Sequence, residues 1–307
     1  MREYEFYQVD VFTSERFSGN PLVVIPDADR LTTQEMKMVA AEMNVPQTAF
    51  VIAPSVEGSL YRMRILTPTT ELPFTGHPAI GAHWVMAELG RVPLEDPVTT
   101  VQYEQSVGPL TAEFHMKDGQ LDHIMMETCP PLFLAELKDV RELARGLGVS
   151  AEEITGTGRP TQVVSTGMPQ LMVPMRSLSA VQRLDASEMS LSILSKVLRN
   201  LGSNFIHVFT TETGKPGVTV HARGFGHFVG IPEDPVTGNA NGALGAYLVR
   251  NGIIPINEPT VQFIVEQGSE IQRPGTVMVE VDHEYGRPRA VRVGGQVVQV
   301  MSGTFTI

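Results

Sequence analysis

Apolar residues along the chain follow two different spacings, which predict strands and helices in alternation. The segments YEFYQVDVF (4–12) and YRMRILTP (61–68) read as strands, and NPLVVIP (20–26) is a short apolar run typical of a buried strand. A further set of helix and strand patterns begins near residue 135, and no low-complexity linker separates the two halves. The pattern therefore predicts a fold in which strands and helices are mixed throughout.

One segment near the N-terminus has the spacing of an amphipathic helix. Residues 32–44 begin with Thr32 or Thr33, either of which can cap the first turn. The apolar stripe of this predicted helix consists of Met36, Val39, Ala40 and Met43.

A second helix and a set of hairpins are predicted further along the chain. Residues 77–89 form the helix, with Pro78 suited to its first turn and Gly90 to its end. Residues 99–127 are typical of antiparallel hairpins. The expected turns of these hairpins are Gly108-Pro109 and Asp118-Gly119.

Length, composition and charge limit the class of protein. A chain of 307 residues exceeds the usual size of one domain and predicts two. A hydrophobic content of 42% with 19% charged residues is that of a soluble globular protein. The net charge of −11 argues against nucleic acid or an anionic membrane surface as a partner. Small anions can still bind at a local basic site, so the charge does not select a substrate.

The cysteine content and the N-terminus predict the compartment. The single Cys129 excludes an intramolecular disulfide and any mechanism that needs two thiols from one chain. The N-terminus has no apolar signal core, and no run approaches 18 consecutive apolar residues. We therefore expect a cytoplasmic protein without a membrane span.

Several segments of the first half recur in the same order in the second half. GHPAIGAHWVMAELG (76–90) matches GNANGALGAYLVRNG (238–252), and each is preceded by an acid and a proline, in ELPFTGH and EDPVTGN. GNPLVVIP (19–26) resembles GMPQLMVP (167–174), and LTTQEMKMVAAEMN has a counterpart in DASEMSLSILSKVLRN. Glycine-rich helix starts can be similar by chance, but three matches in one order favour an ancient duplication.

The paired helix starts have a shared chemistry. The N-terminus of a helix presents unpaired N–H groups and a partial positive charge, so two that face each other would hold a small carboxylate. His77, Asn239 and the preceding Asp234 would supply proton transfer and hydrogen bonds. Removal of a proton next to a carboxylate needs this arrangement.

With these two loops and helix starts, the sequence resembles the PhzF-like proteins of the diaminopimelate epimerase fold. The stretches that carry the resemblance cover nearly the whole chain, and ELPFTGHP with EDPVTGNA is specific in this order and spacing. The matching stretches are VDVFTSERFSGNPLVVIPDADRLT, RILTPTTELPFTGHPAIGA, GIPEDPVTGNANGALGAYL and VGGQVVQVMSGTFTI.

The resemblance implies a fold and a class of activity. It implies an α+β fold of two similar domains, each a curled, mostly antiparallel sheet around a central helix, with the active site in the cleft between them. The expected domains are residues 1–118, to which a last strand at about 291–307 returns, and residues 119–290. Members are typically isomerases that act on small carboxylic acids in biosynthetic processes, without a cofactor or metal, and often as homodimers.

Most site residues of the family have counterparts here. His77 matches the family's histidine, and Asp234 matches its aspartate before the proline. The family's usual Ser-Ala is replaced by Asn239-Ala240. Residues expected to bind the substrate at the two helix starts are Gly76, Pro78, Gly238, Asn239 and Ala240.

The main departure from the family is Gln47, in MNVPQTAFV. PhzF-like proteins usually carry a catalytic glutamate in an SETTF-like stretch at this point. Glutamine keeps the shape and the hydrogen bonds but has no proton that titrates in the useful range, so Gln47 cannot be a general base. Three explanations stay open: His77 or Asp234 carries the proton, the substrate differs, or catalysis is lost and the site only binds.

Each candidate also has a structural explanation. His77, Asp234 and Asn239 are ordinary residues at turns and helix starts. Arg64 and Arg223 occupy similar positions ahead of the two loops and are either surface charges or fold-supporting ion pairs. Further residues with a structural alternative are Glu71, opposite Glu233 in the repeat, and Cys129, which is expected to pack rather than react.

Rival motifs are weak. TETGKPG lacks the upstream glycine of a phosphate loop, and GFGHFVG runs into IPEDP rather than a helix, unlike a dinucleotide fingerprint. There is no H-E-x-x-H, no clustered Cys/His pattern and no G-x-S-x-G, so a metal site or a serine nucleophile is not expected.

Overall fold

The computed structural model describes residues 1–72 and 76–307, apart from the side chain of Val229. Two compact units are present: Met1–Glu127 with Gly294–Ile307 form the first, and Thr128–Val293 form the second. The domain boundaries predicted from the sequence lie near these divisions and stay a prediction.

The described residues contain strands throughout and a smaller number of helices. In chain order the strands are β1 (Glu3–Val11), β2 (Asn20–Ile25), β3 (Thr48–Ile52), β4 (Arg62–Leu66), β5 (Glu71–Leu72), β6 (Val98–Gln105), β7 (Gly108–Lys117), β8 (Gln120–Glu127), β9 (Leu132–Leu137), β10 (Thr161–Ser165), β11 (Pro169–Pro174), β12 (Ile206–Thr210), β13 (Val220–Gly226), β14 (Ile231–Asp234), β15 (Thr260–Gln267), β16 (Gly275–Glu284), β17 (Arg287–Gly295) and β18 (Val297–Thr306). The helices are α1 (Thr33–Met43), α2 (His77–Glu88), α3 (Arg141–Leu147), α4 (Ala151–Thr155), α5 (Leu178–Gln182), α6 (Leu191–Leu201) and α7 (Gly238–Arg250), with short 3₁₀ turns at His227–Val229 and Ser269–Ile271.

The first unit is a sheet around helix α2. Its strands pair in the order β18, β1, β2, β3, β4, β6, β7, β8, and all pairs are antiparallel except β2 with β3 and β4 with β6. Helix α2 packs against β1, β2, β3, β8 and β18, and ten of its twelve residues are buried. Such a helix is apolar on all sides because the sheet surrounds it.

A glycine permits the close packing of α2 against the sheet. A Cβ added at Gly81 would lie 2.4 Å from Cδ2 of Leu22 and 2.9 Å from Cγ2 of Val11. Because real Cβ atoms do not approach other atoms so closely, only glycine allows this distance between helix and strands.

The second unit has a corresponding arrangement around helix α7. Its strands pair in the order β9, β10, β11, β12, β13, β15, β16, and the parallel pairs are β11 with β12 and β13 with β15. Helix α7 packs against β10, β11 and β16, and eleven of its thirteen residues are buried. A short strand turns back before the central helix in both units: β5 pairs with β4, and β14 pairs with β13.

The order of pairings is therefore the same in the two units. Parallel and antiparallel pairs occur at corresponding places, and each central helix follows the short returning strand. This agreement supports the duplication inferred from the sequence, which stays a prediction about the history of the chain.

Most local predictions agree with the structure. Thr32 is the N-cap of α1: its Oγ1 accepts from the Glu35 N–H at 3.2 Å, and the Glu35 carboxylate accepts from the Thr32 N–H at 2.7 Å. In the predicted stripe Met36, Val39 and Ala40 are buried and Met43 packs partly buried against them. The α+β class is confirmed.

One of the two predicted hairpin turns is correct and the other is wrong. Asp118 and Gly119, with φ of 53° and 76°, connect Lys117 to its partner Gln120. Gly108-Pro109 is not a turn, because Gln105 pairs with Gly108 and the turn is at residues 106–107. Proline is tolerated next to the first residue of a strand, so the glycine-proline signal marked a strand start instead.

No helix within residues 1–72 and 76–307 is long and apolar enough to cross a membrane.

Candidate functional site

The start of α2 in the first unit has backbone N–H groups that lie ahead of the first helical hydrogen bonds. Gly76 is the N-cap and has no side chain with which to cap the helix. The carbonyl of Gly76 accepts from the N–H groups of Ala79 and Ile80 at 3.1 and 3.2 Å, and Pro78 has no N–H. The N–H groups of Gly76 and His77 precede the first helical hydrogen bonds, so this end carries the partial positive charge of the helix.

His77 is a buried, neutral imidazole at this helix start. Its side chain is only 7% exposed, and burial lowers its pKa from 6.5 to about 3. Nε2 has no hydrogen-bond partner among the residues that the structure describes. A neutral imidazole with a free nitrogen can accept a proton or a hydrogen bond from a ligand.

Gln47 lies between α1 and β3 in the same unit. Its backbone carbonyl accepts from the N–H of Val23 at 3.4 Å, which fixes the main chain at the start of β3. The side-chain Oε1 is buried and has no partner within the described part of the chain. A buried amide oxygen without a partner is costly, so this oxygen can accept a hydrogen bond from a ligand.

The start of α7 in the second unit has a similar backbone. Thr237 is the N-cap, and its side chain makes no capping bond to the helix. The N–H of Asn241 is bonded to the carbonyl of Thr237 at 3.1 Å. The N–H groups of Gly238, Asn239 and Ala240 come before this first helical bond.

Asp234 ends the strand that leads into this helix. The residue is 7% exposed, and its Oδ2 accepts a hydrogen bond from Thr237 Oγ1 at 2.6 Å. The backbone carbonyl of Asp234 accepts from Nε2 of Gln267 at 2.9 Å. The structure thus connects the predicted aspartate to the predicted helix start through Thr237.

The side chain of Asn239 is directed away from the role predicted for it. In the orientation that satisfies both amide atoms, its nitrogen donates to Oγ1 and O of Thr166 at 2.9 and 3.1 Å, and its oxygen accepts from the N–H of Met168 at 3.2 Å. The carboxamide is occupied within the second unit, which leaves the backbone N–H as the group that Asn239 offers at the helix start.

Each helix start is preceded by an arginine–glutamate pair of the same geometry. Arg64 on β4 donates through Nε and Nη2 to Glu71 on β5 at 2.8 and 2.7 Å. Arg223 on β13 donates in the same way to Glu233 on β14 at 2.8 Å for both bonds. Of the two explanations open from the sequence, fold-supporting ion pairs agree with these contacts.

Residues that the sequence did not single out complete the second helix start. Gln267 is fully buried and bonds Asp234 and Thr237, and Asn241 bonds Gln267. The sequence does contain a signal for Gln267. The strands that follow the two central helices, β6 and β15, both end in Glu-Gln. Cys129 is half-buried.

The described residues contain no group of three or more His, Cys, Asp or Glu side chains arranged to hold a metal ion.

Comparison with protein families gives one match, and it extends over almost the whole chain. The family model described as phenazine biosynthesis-like protein matches residues 9–303. An uncharacterized isomerase of Clostridium acetobutylicum is 33% identical over 312 residues, which cover 100% of this chain and 99% of that protein. The uncharacterized isomerase YddE of Salmonella typhimurium is 33% identical over 305 residues, or 99% and 98% of the two chains.

Solved structures share the fold. A phenazine biosynthesis protein of the PhzF family from Bacillus anthracis superposes with a TM-score of 0.89 and 28% identity over 100% of both chains. A hydroxyproline epimerase from Agrobacterium vitis has a TM-score of 0.67 at 13% identity, over 99% of this chain and 91% of that one, and shows the epimerase-like fold alone. The chain therefore belongs to the phenazine biosynthesis-like, or PhzF, family.

Proposed function

We propose that the chain is a cofactor-independent isomerase or epimerase that moves a proton on a small carboxylic acid. Its relatives are named isomerases, and the chain is an enzyme of this isomerase family. The observation that carries the proposal is a pair of helix starts: one lies beside a buried imidazole whose Nε2 is bonded by none of the described residues, and the other lies beside a buried carboxylate.

The substrate carboxylate binds the two helix starts in this proposal, across a cleft between the units. The carboxylate oxygens accept hydrogen bonds from the backbone N–H groups of Gly76, Gly238, Asn239 and Ala240. Pro78 keeps the first turn of α2 in place. The partial positive charge of the two helix starts is complementary to a single negative charge on the ligand, and exclusion of water strengthens this attraction. A small anion also suits a protein whose net charge of −11 argues against nucleic acid or an anionic membrane surface as a partner.

His77 is the proton acceptor in this mechanism. The neutral imidazole takes the proton from the carbon near the carboxylate at Nε2, and the imidazolium returns it at another carbon or on the other face. Burial keeps the pKa of His77 near 3 in the empty site, so the imidazole is unprotonated there, and its proton affinity rises only when negative charges come close to it. The bound carboxylate and the Asp234 carboxylate stabilise the imidazolium that forms.

Asp234 orients or relays this proton, and Gln47 binds the substrate through its amide. Gln47 has no acidic proton, so the chemistry differs from that of family members with a glutamate at this position. We further propose that the enzyme acts as a homodimer in a cytoplasmic biosynthetic process, as the resemblance implies.

The alternative is a protein that binds a small carboxylate without turnover. It is favoured by one observation: Gln47 does not titrate, and a pKa of about 3 makes the buried imidazole of His77 a weak base in the empty site. Glutamate at position 47 would then be the missing base.

Thermal unfolding and hydrogen exchange in D₂O separate the two functions. Wild type and Gln47→Glu are incubated with a panel of small carboxylic and amino acids. The panel includes a dihydro-hydroxyanthranilate, the substrate that the resemblance implies for family members with the catalytic glutamate. The proposal predicts that an acid which raises the unfolding temperature of the wild type also exchanges a carbon-bound proton with solvent. Stabilisation without exchange in the wild type, with exchange in Gln47→Glu, establishes the binding protein instead.

A further inference from the structure

A chain of four hydrogen bonds runs through the interior of the second unit and ends on the carboxylate of Asp234. It starts at His207 on β12 and continues through Asn241 of α7, Gln267 at the end of β15, and Thr237. In that order the four distances are 3.0, 2.9, 3.0 and 2.6 Å. The first three side chains are completely buried, so water does not compete for these bonds.

Backbone groups fix the orientation of the Gln267 amide. Its Nε2 lies 2.9 Å from the carbonyl of Asp234, which can only accept, and its Oε1 lies 3.1 Å from the N–H of Thr237, which can only donate. Nε2 is therefore the donor to Thr237 Oγ1. Because Oγ1 already accepts from Gln267, the hydroxyl proton of Thr237 is left to donate, and Asp234 Oδ2 at 2.6 Å is its acceptor.

The hydrogen bonds from His207 through Asn241 to Gln267 run in the same direction. Asn241 Nδ2 donates to the carbonyl of Thr237 at 3.0 Å and to Gln267 Oε1 at 2.9 Å, so Asn241 Oδ1 faces Nε2 of His207. That nitrogen must carry a proton. Burial lowers the pKa of His207 to about 4, so the ring is neutral and donates from Nε2. Every bond thus points toward Asp234, and each polarises the next.

We propose that Gln267 is a positioning residue that turns the Thr237 hydroxyl onto Asp234 and so holds this carboxylate ionised and in one orientation for proton transfer. A hydroxyl that donates to a carboxylate favours its charged form. The importance of Asp234 for catalysis rests on the proposed function, whereas the direction of the hydrogen bonds does not.

Neighbouring charges on the packed strands already have partners of their own. Glu233 is bonded by Arg223, and Glu266 is bonded by His221 and Lys215 at 2.9 and 3.0 Å. Glu270 also accepts from His221, at 2.8 Å. Removal of the Thr237 hydroxyl therefore changes the hydrogen bonding of Asp234 without changing these ion pairs.

The direct test is the titration of Asp234 in the full-length protein. Aspartate labelled with ¹³C at the carboxyl carbon reports each side chain, and the Asp234→Asn variant identifies the signal. Thr237→Val keeps the shape and removes the hydroxyl, so we expect the midpoint of the Asp234 signal to move up by about one pH unit. Thr237→Ser, which keeps the hydroxyl, should leave it near its original value.

A matched hydroxyl elsewhere in the unit provides the control. Thr260 at the start of β15 donates to Asp282 Oδ1 at 2.6 Å, the same bond at the same length. Thr260→Val should move the Asp282 signal and leave the Asp234 signal in place. Equal Asp234 midpoints in wild type and Thr237→Val, or a serine variant that shifts as far as the valine variant, would overturn the proposal.

The role of Gln267 is tested by a double-mutant cycle. Gln267→Met should raise the Asp234 midpoint when Thr237 is present and should have little further effect in the Thr237→Val background. An equal shift in both backgrounds would show that Gln267 acts on Asp234 independently of the hydroxyl. If the methionine variant does not fold, Gln267→Glu replaces it, since the effect of its added charge is common to both backgrounds and cancels in the cycle.

Enzyme kinetics separate this inference from the proposed function. With any acid whose carbon-bound proton exchanges, Thr237→Val should move the acidic limb of the pH–rate profile upward, and Thr237→Ser should restore it. If no acid exchanges, the proposed function fails, and the titration of Asp234 still decides the role of Gln267.

Discussion

Replacement of the arginine by methionine should destabilise the protein to different extents in the two arginine–glutamate pairs. Arg223 and Glu233 are 4% and 6% exposed, whereas Arg64 and Glu71 are 17% and 28% exposed. Arg223 also donates through Nη1 to the carbonyls of Val181 and Leu184 at 3.0 and 2.6 Å. Arg223→Met therefore leaves a buried carboxylate and two buried carbonyls without their donor.

The burial sets the expected size of the two losses. Removal of one partner of a buried, hydrogen-bonded pair costs about 3–5 kcal/mol, and removal from a more exposed pair costs about 1 kcal/mol. For units of this size, 3 kcal/mol lowers the unfolding temperature by about 6–12 °C. Arg64→Met should lower it by about 2–4 °C.

Calorimetry of the wild type and the two single variants measures this difference at neutral pH. In the double variant Arg223→Met/Glu233→Met the buried charge is absent, so part of the loss should be recovered, while the carbonyls stay unpaired. Equal losses for Arg223→Met and Arg64→Met, or no recovery in the double variant, would refute the argument from burial.

Two further predictions concern the central helices and the buried histidines. Gly81→Ala should destabilise the first unit by about 1–3 kcal/mol because its Cβ would meet Leu22 and Val11. Gly214→Ala should be nearly neutral, because the nearest atom to its Cβ would lie 4.0 Å away. Urea unfolding compares the stabilities of the two variants. Burial lowers the pKa of His83 from 6.5 to about 3, so the unfolded state binds more protons between these values, and the stability that is complete above pH 6.5 should fall as the pH falls toward 3. His83→Gln should flatten this dependence in thermal unfolding at a series of pH values, and an unchanged slope would contradict the assignment.

Local signals in the sequence were sufficient for the elements that position the candidate site. A threonine cap at residue 32 or 33 and the Asp118-Gly119 turn depend on neighbouring residues only, so both could be predicted. The helix starts at Gly76 and Gly238 could be predicted because a proline or a small-residue run and a repeated context mark them. The turn at residues 106–107 could not, because strand register and not turn chemistry determines it.

The protonation and the hydrogen-bond partners of the site residues depend on burial in the folded protein. A residue's immediate neighbours in the sequence do not determine this burial. The unperturbed pKa of histidine is about 6.5, but burial at the helix start lowers the pKa of His77 to about 3 and keeps the ring neutral. Asn239 was expected to face a ligand, but Thr166 and Met168, distant in the sequence, hold its amide. Gln267 joins the network only because the strand pairing places it beside Asp234 and Thr237.

Proton exchange at carbon tests the central claim most directly. The wild type, His77→Asn and Asp234→Asn are each incubated in D₂O with the panel of small carboxylic acids and followed by proton NMR. The account predicts that the wild type replaces a carbon-bound proton near the carboxylate of at least one acid by deuterium. Each substitution should slow this exchange by a factor of about 100 or more. Exchange that survives both substitutions, or a wild type that exchanges none of the acids while one of them still raises its unfolding temperature, would contradict it.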